Sequence, residues 1–199
     1  MKKIIIAVLL VGVVAIASEN VTYTFSGQSS TFDGSTNWVQ VPLNAGGVDF
    51  MMTVSSAGGN LKALTDDFGI AGVSGTNDQL DGTDEIITLS FSKAINVVSI
   101  DLSGIGSESS DGANLTVGNE SVVSLFTGSP SFNGTFDSYT PEPPIQVDIG
   151  DSIVLTGSAV SSIYELESIT VSVVPEPAAL SMLGLGGLLI LFVRRFYHK

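Results

Sequence analysis

The sequence predicts an all-β domain, an antiparallel β-sandwich of jelly-roll type. Apolar and polar residues alternate with a period of two over many short segments, which is typical of strands that are buried on one face. Turn-forming pairs that contain glycine separate these segments. The composition agrees, because the chain has 22 glycines and only 14% charged residues.

Five segments show the alternation most clearly. Each places three apolar side chains two residues apart, so that they share one face of a strand, with mostly polar residues between them. In chain order these segments are 21–25, 87–91, 98–102, 145–149 and 169–173. Shorter candidate strands lie at 48–54, 115–117, 121–126 and 152–156. Polar outer faces rich in Ser and Thr indicate sheets that pack on one side and meet water on the other.

The turns between these strands carry recognisable chemistry. Asp33-Gly34, Asp81-Gly82 and Asp111-Gly112 are turn-forming pairs, and the proline-rich segment 141–144 forms a further loop. About nine to eleven short strands at this spacing favour a sandwich over a solenoid or a propeller. Only residues 60–67 and Leu166 hint at a helix.

Charge is distributed unevenly along the chain. The formal net charge is −13, but residues 18–174 hold 19 of the 20 acidic residues and only Lys62 and Lys93 as bases, which gives this part −17. Such a domain lacks the basic clusters that neutralise phosphates, so nucleic-acid binding is excluded. The chain has no cysteine, which excludes disulfide scaffolds, thiolate metal sites and cysteine nucleophiles.

The N-terminus predicts a secretory signal peptide over residues 1–17. Lys2 and Lys3 precede an apolar run of 13 residues, and Ala15 and Ala17 form a small-residue cleavage site. The run is short for a membrane-spanning helix, which needs about 20 residues. We therefore expect cleavage after Ala17, and an exported domain over residues 18–174.

The C-terminus predicts a second membrane segment. Pro175, Glu176 and Pro177 precede an apolar stretch over residues 178–193, and Arg194 and Arg195 follow it. We expect a transmembrane helix over 178–193 with its basic end in the cytoplasm. The two prolines hold the motif extended and remove two backbone donors, which keeps it out of the preceding sheet.

Residues 175–199 resemble the PEP-CTERM sorting signal of exported bacterial proteins. The resemblance rests on the Pro-Glu-Pro motif, the hydrophobic helix and the basic tail in this order. It implies that the chain is a substrate of exosortase, a membrane peptidase that processes the tail near the motif after export by the Sec machinery. It also implies a product at the cell surface or in an extracellular polysaccharide matrix. A permanent single-pass anchor is the alternative.

Few residues could carry catalysis. The single histidine, His198, lies beyond the predicted helix, so the exported domain has neither His nor Cys, which excludes the common nucleophilic triads and imidazole-ligated metals. Glu165 and Glu167 share a strand face by spacing, and paired carboxylates can hydrolyse glycosides. No sugar platform accompanies them, and we expect no catalytic residue and no enzyme activity.

The densest acidic stretch is the candidate metal site. Asp78, Asp81, Asp84 and Glu85 crowd a loop that contains glycine, and Ca²⁺ prefers six to eight such oxygen ligands. The spacing does not match an EF-hand, because the twelfth position counted from Asn77 is Thr88. A structural loop is the alternative.

The sequence thus predicts an exported cell-surface or matrix protein with a structural or adhesive role in exopolysaccharide or biofilm. The alternative is a calcium-dependent carbohydrate-binding module. The aromatic residues that could contact a sugar are Trp38, Tyr23, Tyr139 and Tyr164. Because Trp38 is the only tryptophan, the sequence favours a core or rim role for it over a sugar-binding platform.

Overall fold

The structure is a computed structural model of the chain. It describes residues 19–32, 36–63, 68–71, 80–81, 83–103, 113–118, 122–125, 137–158 and 163–175. Within this part the chain is all-β, which confirms the predicted class. Ser18–Val174 form one compact unit. The predicted signal peptide and the predicted helix 178–193 lie outside the described residues. No helix of membrane-spanning length and hydropathy occurs among the residues that are described.

The described residues form fourteen strands. In chain order they are β1 (Asn20–Thr24), β2 (Trp38–Ala45), β3 (Val48–Ala57), β4 (Asn60–Ala63), β5 (Phe68–Ala71), β6 (Leu80–Asp81), β7 (Ile86–Phe91), β8 (Ile95–Ser103), β9 (Ala113–Val117), β10 (Val123–Leu125), β11 (Asp137–Tyr139), β12 (Ile145–Val147), β13 (Ser152–Gly157) and β14 (Ile163–Val173).

Two antiparallel sheets contain most of these strands, as predicted. The first sheet has the order β1-β14-β8-β11, with β12 also paired to β8 and β6 to β14. The second sheet has the order β10-β9-β13-β7-β3-β2. Strands β4 and β5 form a separate two-stranded ladder. Most neighbours within the sheets are distant in sequence, so long-range pairing rather than hairpin formation determines the fold.

One apolar core joins the inner faces of the two sheets. The second sheet contributes alternate residues of β3, β7, β9 and β13, and the first sheet contributes alternate residues of β8 and β14. Met52, Leu89 and Leu155 come from the former, and Ile100 and Val171 come from the latter; all five are almost fully buried. Each such side chain contributes about 1.5–3 kcal/mol when it leaves water.

Two irregularities keep the apolar residues of β8 and β14 in phase. The register of this pair shifts between Leu166 and Ser168, and again between Thr170 and Val171. The second shift leaves Val98 without a direct partner, so the inner face of β8 changes from Ile100 and Leu102 to Ile95 and Val97. Simple alternation from the sequence placed Val98 inside, and a β-bulge is the reason that it is only half-buried.

The sequence pattern did not predict strand β2, nor the short strands β4, β5, β6 and β11. Val39, Val41 and Leu43 alternate correctly, but Pro42 interrupts the run, and proline is excluded from central strands. The structure resolves the conflict by placing β2 at the edge of the second sheet. Residues 60–63 form β4, so the hint of a helix there is wrong.

The backbone of Pro42 faces the free edge of β2. Its partner Met51 donates its N–H to Ser92 Oγ (2.9 Å) and accepts at its carbonyl oxygen from Ser92 N–H (3.0 Å). Both backbone groups of Met51 therefore point away from β2, and Pro42 and Met51 form a non-hydrogen-bonded pair. The nitrogen of Pro42 consequently lies on the outer edge, where the missing N–H interrupts any strand that would add there.

Replacing Pro42 with Thr restores a donor in the middle of this edge. We expect P42T to self-associate in a concentration-dependent way, because an unprotected edge strand pairs with another copy. Light scattering coupled to size exclusion measures the mass. Gln40→Thr is the matched control, since Gln40 lies on the same edge and already has its N–H. An unchanged mass for P42T would contradict a protective role.

Candidate functional site

The outer face of the second sheet carries almost no charge. Its side chains alternate with the buried core residues of β2, β3, β7, β13 and β9, so they point away from the core. We call this set the uncharged face; its members are Trp38, Gln40, Pro42, Met51, Thr53, Ser55, Ile86, Thr88, Ser90, Asn114, Thr116, Ser152, Val154 and Thr156. Asp49 and its hydrogen-bond partner Asn44 (2.6 Å) lie beyond it at one corner.

The pairing registers align the uncharged face into rows that cross the strands. The first row contains Trp38, Ser55, Thr88, Val154 and Thr116, one residue from each of five neighbouring strands. Because neighbouring strands lie about 4.8 Å apart, this row is about 19 Å long.

The second row runs parallel to the first, two residues further along each strand. It contains Gln40, Thr53, Ser90 and Ser152. Hydroxyl groups dominate both rows, and a hydroxyl can both donate and accept a hydrogen bond.

Trp38 is the one large exposed side chain at the end of a row. Its exposed fraction is 57%, although tryptophan is usually well covered. Thr36 fixes the start of the strand, since its Oγ1 accepts from Trp38 N–H (3.2 Å) and donates to the Trp38 carbonyl oxygen (2.9 Å). The sequence favoured a core or a rim position for Trp38. The exposure of its side chain contradicts the core position and agrees with the rim.

The other aromatic candidates do not join this face. Tyr23 is half-buried in the first sheet, where its ring meets Phe25 edge-on with a centroid distance of 5.0 Å. Burial raises the pKa of Tyr23. Tyr139 lies in β11 of the first sheet, and Tyr164 is fully buried.

Beyond the second row, at the Pro42–Met51 pair, lies a shallow depression. Pro42, Met51 and Ser92 line it together with Asn44 and Asp49, and its volume is about 380 Å³. The depression is open to solvent and contains one acidic side chain, so it extends the uncharged face without enclosing a ligand.

The outer face of the first sheet has the opposite character. It carries Asp101, Glu165 and Glu167, and serine hydroxyls donate to all three carboxylates. Ser168 Oγ donates to Asp101 Oδ2 (2.5 Å), Ser103 Oγ to Glu165 Oε2 (3.2 Å) and Ser26 Oγ to Glu167 Oε1 (2.7 Å).

Glu165 and Glu167 are therefore engaged structurally. Glu165 is only 5% exposed within the central strand β14, and Glu167 lies at the register shift of the same strand. The structure places each beside its own serine in the interior of a sheet.

The acidic stretch is only partly described. Asp84 is exposed, Glu85 is 2% exposed, and the backbone of Asp81 pairs with Ile163 in the β6–β14 ladder. Asp78 lies outside the described residues. No three His, Cys, Asp or Glu side chains among those that are described lie close enough together to hold a metal ion.

Glu85 lies near a buried phenol. Burial raises the pKa of Tyr164 far above its ordinary value, and the negative charge of Glu85 raises it further. The Tyr164 hydroxyl has no hydrogen-bond partner among the described residues. Gly58 approaches the backbone of the same segment, because a Cβ at this position would lie 2.7 Å from the carbonyl oxygen of Asp84. Sequence reasoning missed this pair, since its members are 79 positions apart.

Of the residues predicted for signal cleavage and sorting, the structure describes only Pro175. Ala15, Ala17, Glu176, Pro177, Arg194 and Arg195 lie outside the described residues. Pro175 is exposed and follows the last backbone hydrogen bond of the domain, which Val174 N–H donates to the carbonyl oxygen of Ala94 (3.0 Å).

Comparison with known proteins identifies no family. No family model and no curated protein matches the chain. Among solved structures, the family 32 carbohydrate-binding module of C. perfringens NanJ in complex with galactose is 18% identical, with a TM-score of 0.33 over 61% of this chain and 92% of that one. The Podospora anserina GH26-CBM35 β-(1,4)-mannanase is 16% identical, with a TM-score of 0.34 over 80% of this chain and 29% of that one. At such TM-scores neither similarity carries an argument about function.

Replacing Tyr164 with Phe tests the buried phenol. An unfolded tyrosine ionises near pH 10, whereas the folded Tyr164 keeps its proton to higher pH. Above about pH 10 the unfolded state therefore binds fewer protons, and the free energy of unfolding falls by up to about 1.4 kcal/mol per pH unit. We expect Y164F to lose this alkaline dependence in urea titrations from pH 8 to 11.5, and to be no less stable at pH 7.

Tyr23→Phe is the control, because Tyr23 is only half-buried. It should change the alkaline dependence less than Y164F does. A Y164F protein that loses stability above pH 10 as steeply as the wild type would show that Tyr164 does not control it.

Proposed function

We propose that the chain is an exported cell-surface or matrix protein whose β-sandwich binds polysaccharide through the uncharged face. One observation carries this proposal: an exposed tryptophan stands at the end of a row of mostly hydroxyl side chains, and the row contains no charged residue. An aromatic ring offers an apolar surface to the C–H face of a sugar ring, and hydroxyl groups match the donors and acceptors of sugar hydroxyls.

The shape of the face supports a polymer over a small molecule. Small-molecule sites are concave and bury most of their ligand, whereas this face is a sheet surface with one shallow depression. A polymer compensates for weak contacts per unit by making many of them along its length. The sequence offered carbohydrate binding as its alternative, and such binding would also serve the predicted adhesive role.

We further propose that the domain has no catalytic role. Its two spaced glutamates, Glu165 and Glu167, belong to the first sheet, while the uncharged face belongs to the second. Hydrogen bonds from Ser103 and Ser26 engage them, and Glu165 is buried. A polymer on the uncharged face would not reach either carboxylate.

Calcium at the acidic stretch stays a prediction. In this stretch the side chain of Asp84 is exposed and that of Glu85 is buried. A Ca²⁺ ion there would need ligands from other residues. The uncharged face does not include this stretch. Measuring polysaccharide binding with and without calcium therefore distinguishes binding on the uncharged face from binding at a calcium site.

The two ends of the described domain favour the sorting proposal. Asn20 pairs with Ser172 in the β1–β14 ladder, so Glu19 and Pro175 leave the first sheet at the same end. Pro175 follows the last domain hydrogen bond and is exposed, which makes the start of the Pro-Glu-Pro motif accessible to a protease. We propose that the tail directs the domain to exosortase and to the cell surface.

Replacing Trp38 with Ala should weaken polysaccharide binding. Truncating a tryptophan that anchors an interface costs about 2 kcal/mol or more, which corresponds to about a thirtyfold loss of affinity. Retardation of the full chain in native gels that contain soluble polysaccharide measures this, in parallel runs with millimolar Ca²⁺ and with a chelator.

Ile149→Ala is the matched control. Ile149 is 70% exposed but lies outside the uncharged face, so its loss removes an equally accessible apolar side chain. Equal retardation of W38A and the wild type would contradict the binding proposal. Loss of retardation in the chelator alone would favour a calcium-dependent site.

Replacing Pro175, Glu176 and Pro177 together with Ala tests the sorting proposal. We expect the tail to remain uncleaved in a host that has an exosortase, as mass spectrometry of the membrane fraction would show. The chain provides its own control, because Pro141, Glu142 and Pro143 repeat the tripeptide within the domain. Their replacement should leave processing intact. Cleavage of the 175–177 variant at the wild-type level would refute the proposal.

A further inference from the structure

The absence of charge on the uncharged face limits what it can bind. Residues 18–174 carry −17, and the two lysines lie outside both rows: Lys62 is in β4, and Lys93 follows β7. A polymer with carboxylate or sulfate groups needs cationic partners, and the field of the domain would repel it. A cationic polymer would be drawn to the carboxylates of the first sheet and not to this face. A neutral chain meets neither obstacle.

The rows also give the bound chain a direction. Trp38 begins the first row, and Thr116 ends it on the fourth strand away. A chain that crosses the strands would contact Trp38, Ser55, Thr88 and Thr116 in turn. A chain that runs along β2 would instead contact Trp38, Gln40, Pro42 and Asn44. The second path ends beside Asp49, whereas the five described residues of the first row include no charged side chain.

The uncharged face is poorly suited to a second copy of this protein. Protein interfaces are enriched in aromatic residues and arginine at their centre and depleted in serine. Here the centre is formed by Thr53, Ser55, Thr88 and Ser90, and the single aromatic residue stands at the margin. Pro42 also interrupts the adjacent sheet edge.

We infer that the uncharged face binds an electrically neutral polysaccharide whose chain crosses the strands from Trp38 toward Thr116. This inference rests on the proposed polysaccharide binding and adds the charge class and the path of the ligand. The first row of about 19 Å is long enough for several sugar units in line.

The test uses the full chain and three soluble polymers. Hydroxyethyl cellulose is neutral, alginate carries carboxylates, and chitosan carries amines. We expect retardation in native gels that W38A abolishes with the neutral polymer only; any retardation by chitosan, which the carboxylates attract, should persist in W38A and fall with salt. The affinity for the neutral polymer should change less than about twofold when salt rises from 50 to 500 mM, since no ion pairs are screened.

Two variants define the path. Thr116→Ala removes the far end of the row and should weaken binding by about threefold to tenfold. Asn44→Ala, at the far end of the path along β2, should leave it unchanged. Thr22→Ala controls for loss of an exposed hydroxyl, because Thr22 lies on the first sheet, where it hydrogen-bonds to Thr170 (2.8 Å). Thermal unfolding confirms that each variant is folded.

The outcomes separate the inference from the proposal beneath it. Retardation by alginate or chitosan that W38A abolishes would retain polysaccharide binding and overturn the neutral ligand. Sensitivity to N44A and not to T116A would overturn the path. Self-association that W38A abolishes would identify a second copy as the occupant and overturn the inference. No retardation by any of the three polymers would contradict both the inference and the proposed polysaccharide binding.

Discussion

The structure depends on the burial of two inner sheet faces against each other. The described part holds no disulfide, because the chain has no cysteine, and with two lysines for nineteen acids the domain cannot balance its charges by ion pairs. Apolar packing is what remains to offset the loss of chain entropy on folding. Met52, Leu89 and Leu155 on one side and Ile100 and Val171 on the other are therefore constrained in both size and position. The period of two that places them inside also determines which residues face outward.

The same constraint explains the irregularities of the first sheet. Strands β8 and β14 are long, and a strict alternation over their whole length would bring polar side chains inside. The two register shifts restore the apolar phase, so that Ile95 and Val97 face the core on one side of Val98 and Ile100 and Leu102 on the other. The shift between Leu166 and Ser168 accompanies the close approach of Ser168 to Asp101. Bulges here are the means by which the core stays continuous.

Much of the fold follows from local pattern, and the candidate site does not. Alternation predicts most of the length of five strands, because each carries its own alternation of apolar residues: β1, β3, β7, β13 and β14. Strand β2 was not predicted because it contains Pro42. The sequence does not reveal that the N–H that Pro42 lacks would lie on a free sheet edge. The bulge at Val98 was hidden because it depends on the partner strand. The uncharged face was hidden for the same reason: Trp38, Thr88 and Thr116 become neighbours only when strands distant in sequence pair, and no local signal gives that order.

The outer faces of the two sheets differ in the acidic side chains that they carry. A domain at −17 lowers its self-repulsion when its acids are spread over its surface. Among the described residues, Asp101, Glu165 and Glu167 lie within the strands of the first sheet, whereas the two rows of the second sheet carry no acid and Asp49 lies beyond them at one corner. The first sheet tolerates these carboxylates because serine hydroxyls donate to each of them. Glu165 is also buried, and burying a carboxylate costs free energy unless hydrogen bonds satisfy it. Hydrogen bonds from Ser168, Ser103 and Ser26 account for the carboxylates of the first sheet, while the neutral rows that end at Trp38 form the surface on which the proposed ligand would lie.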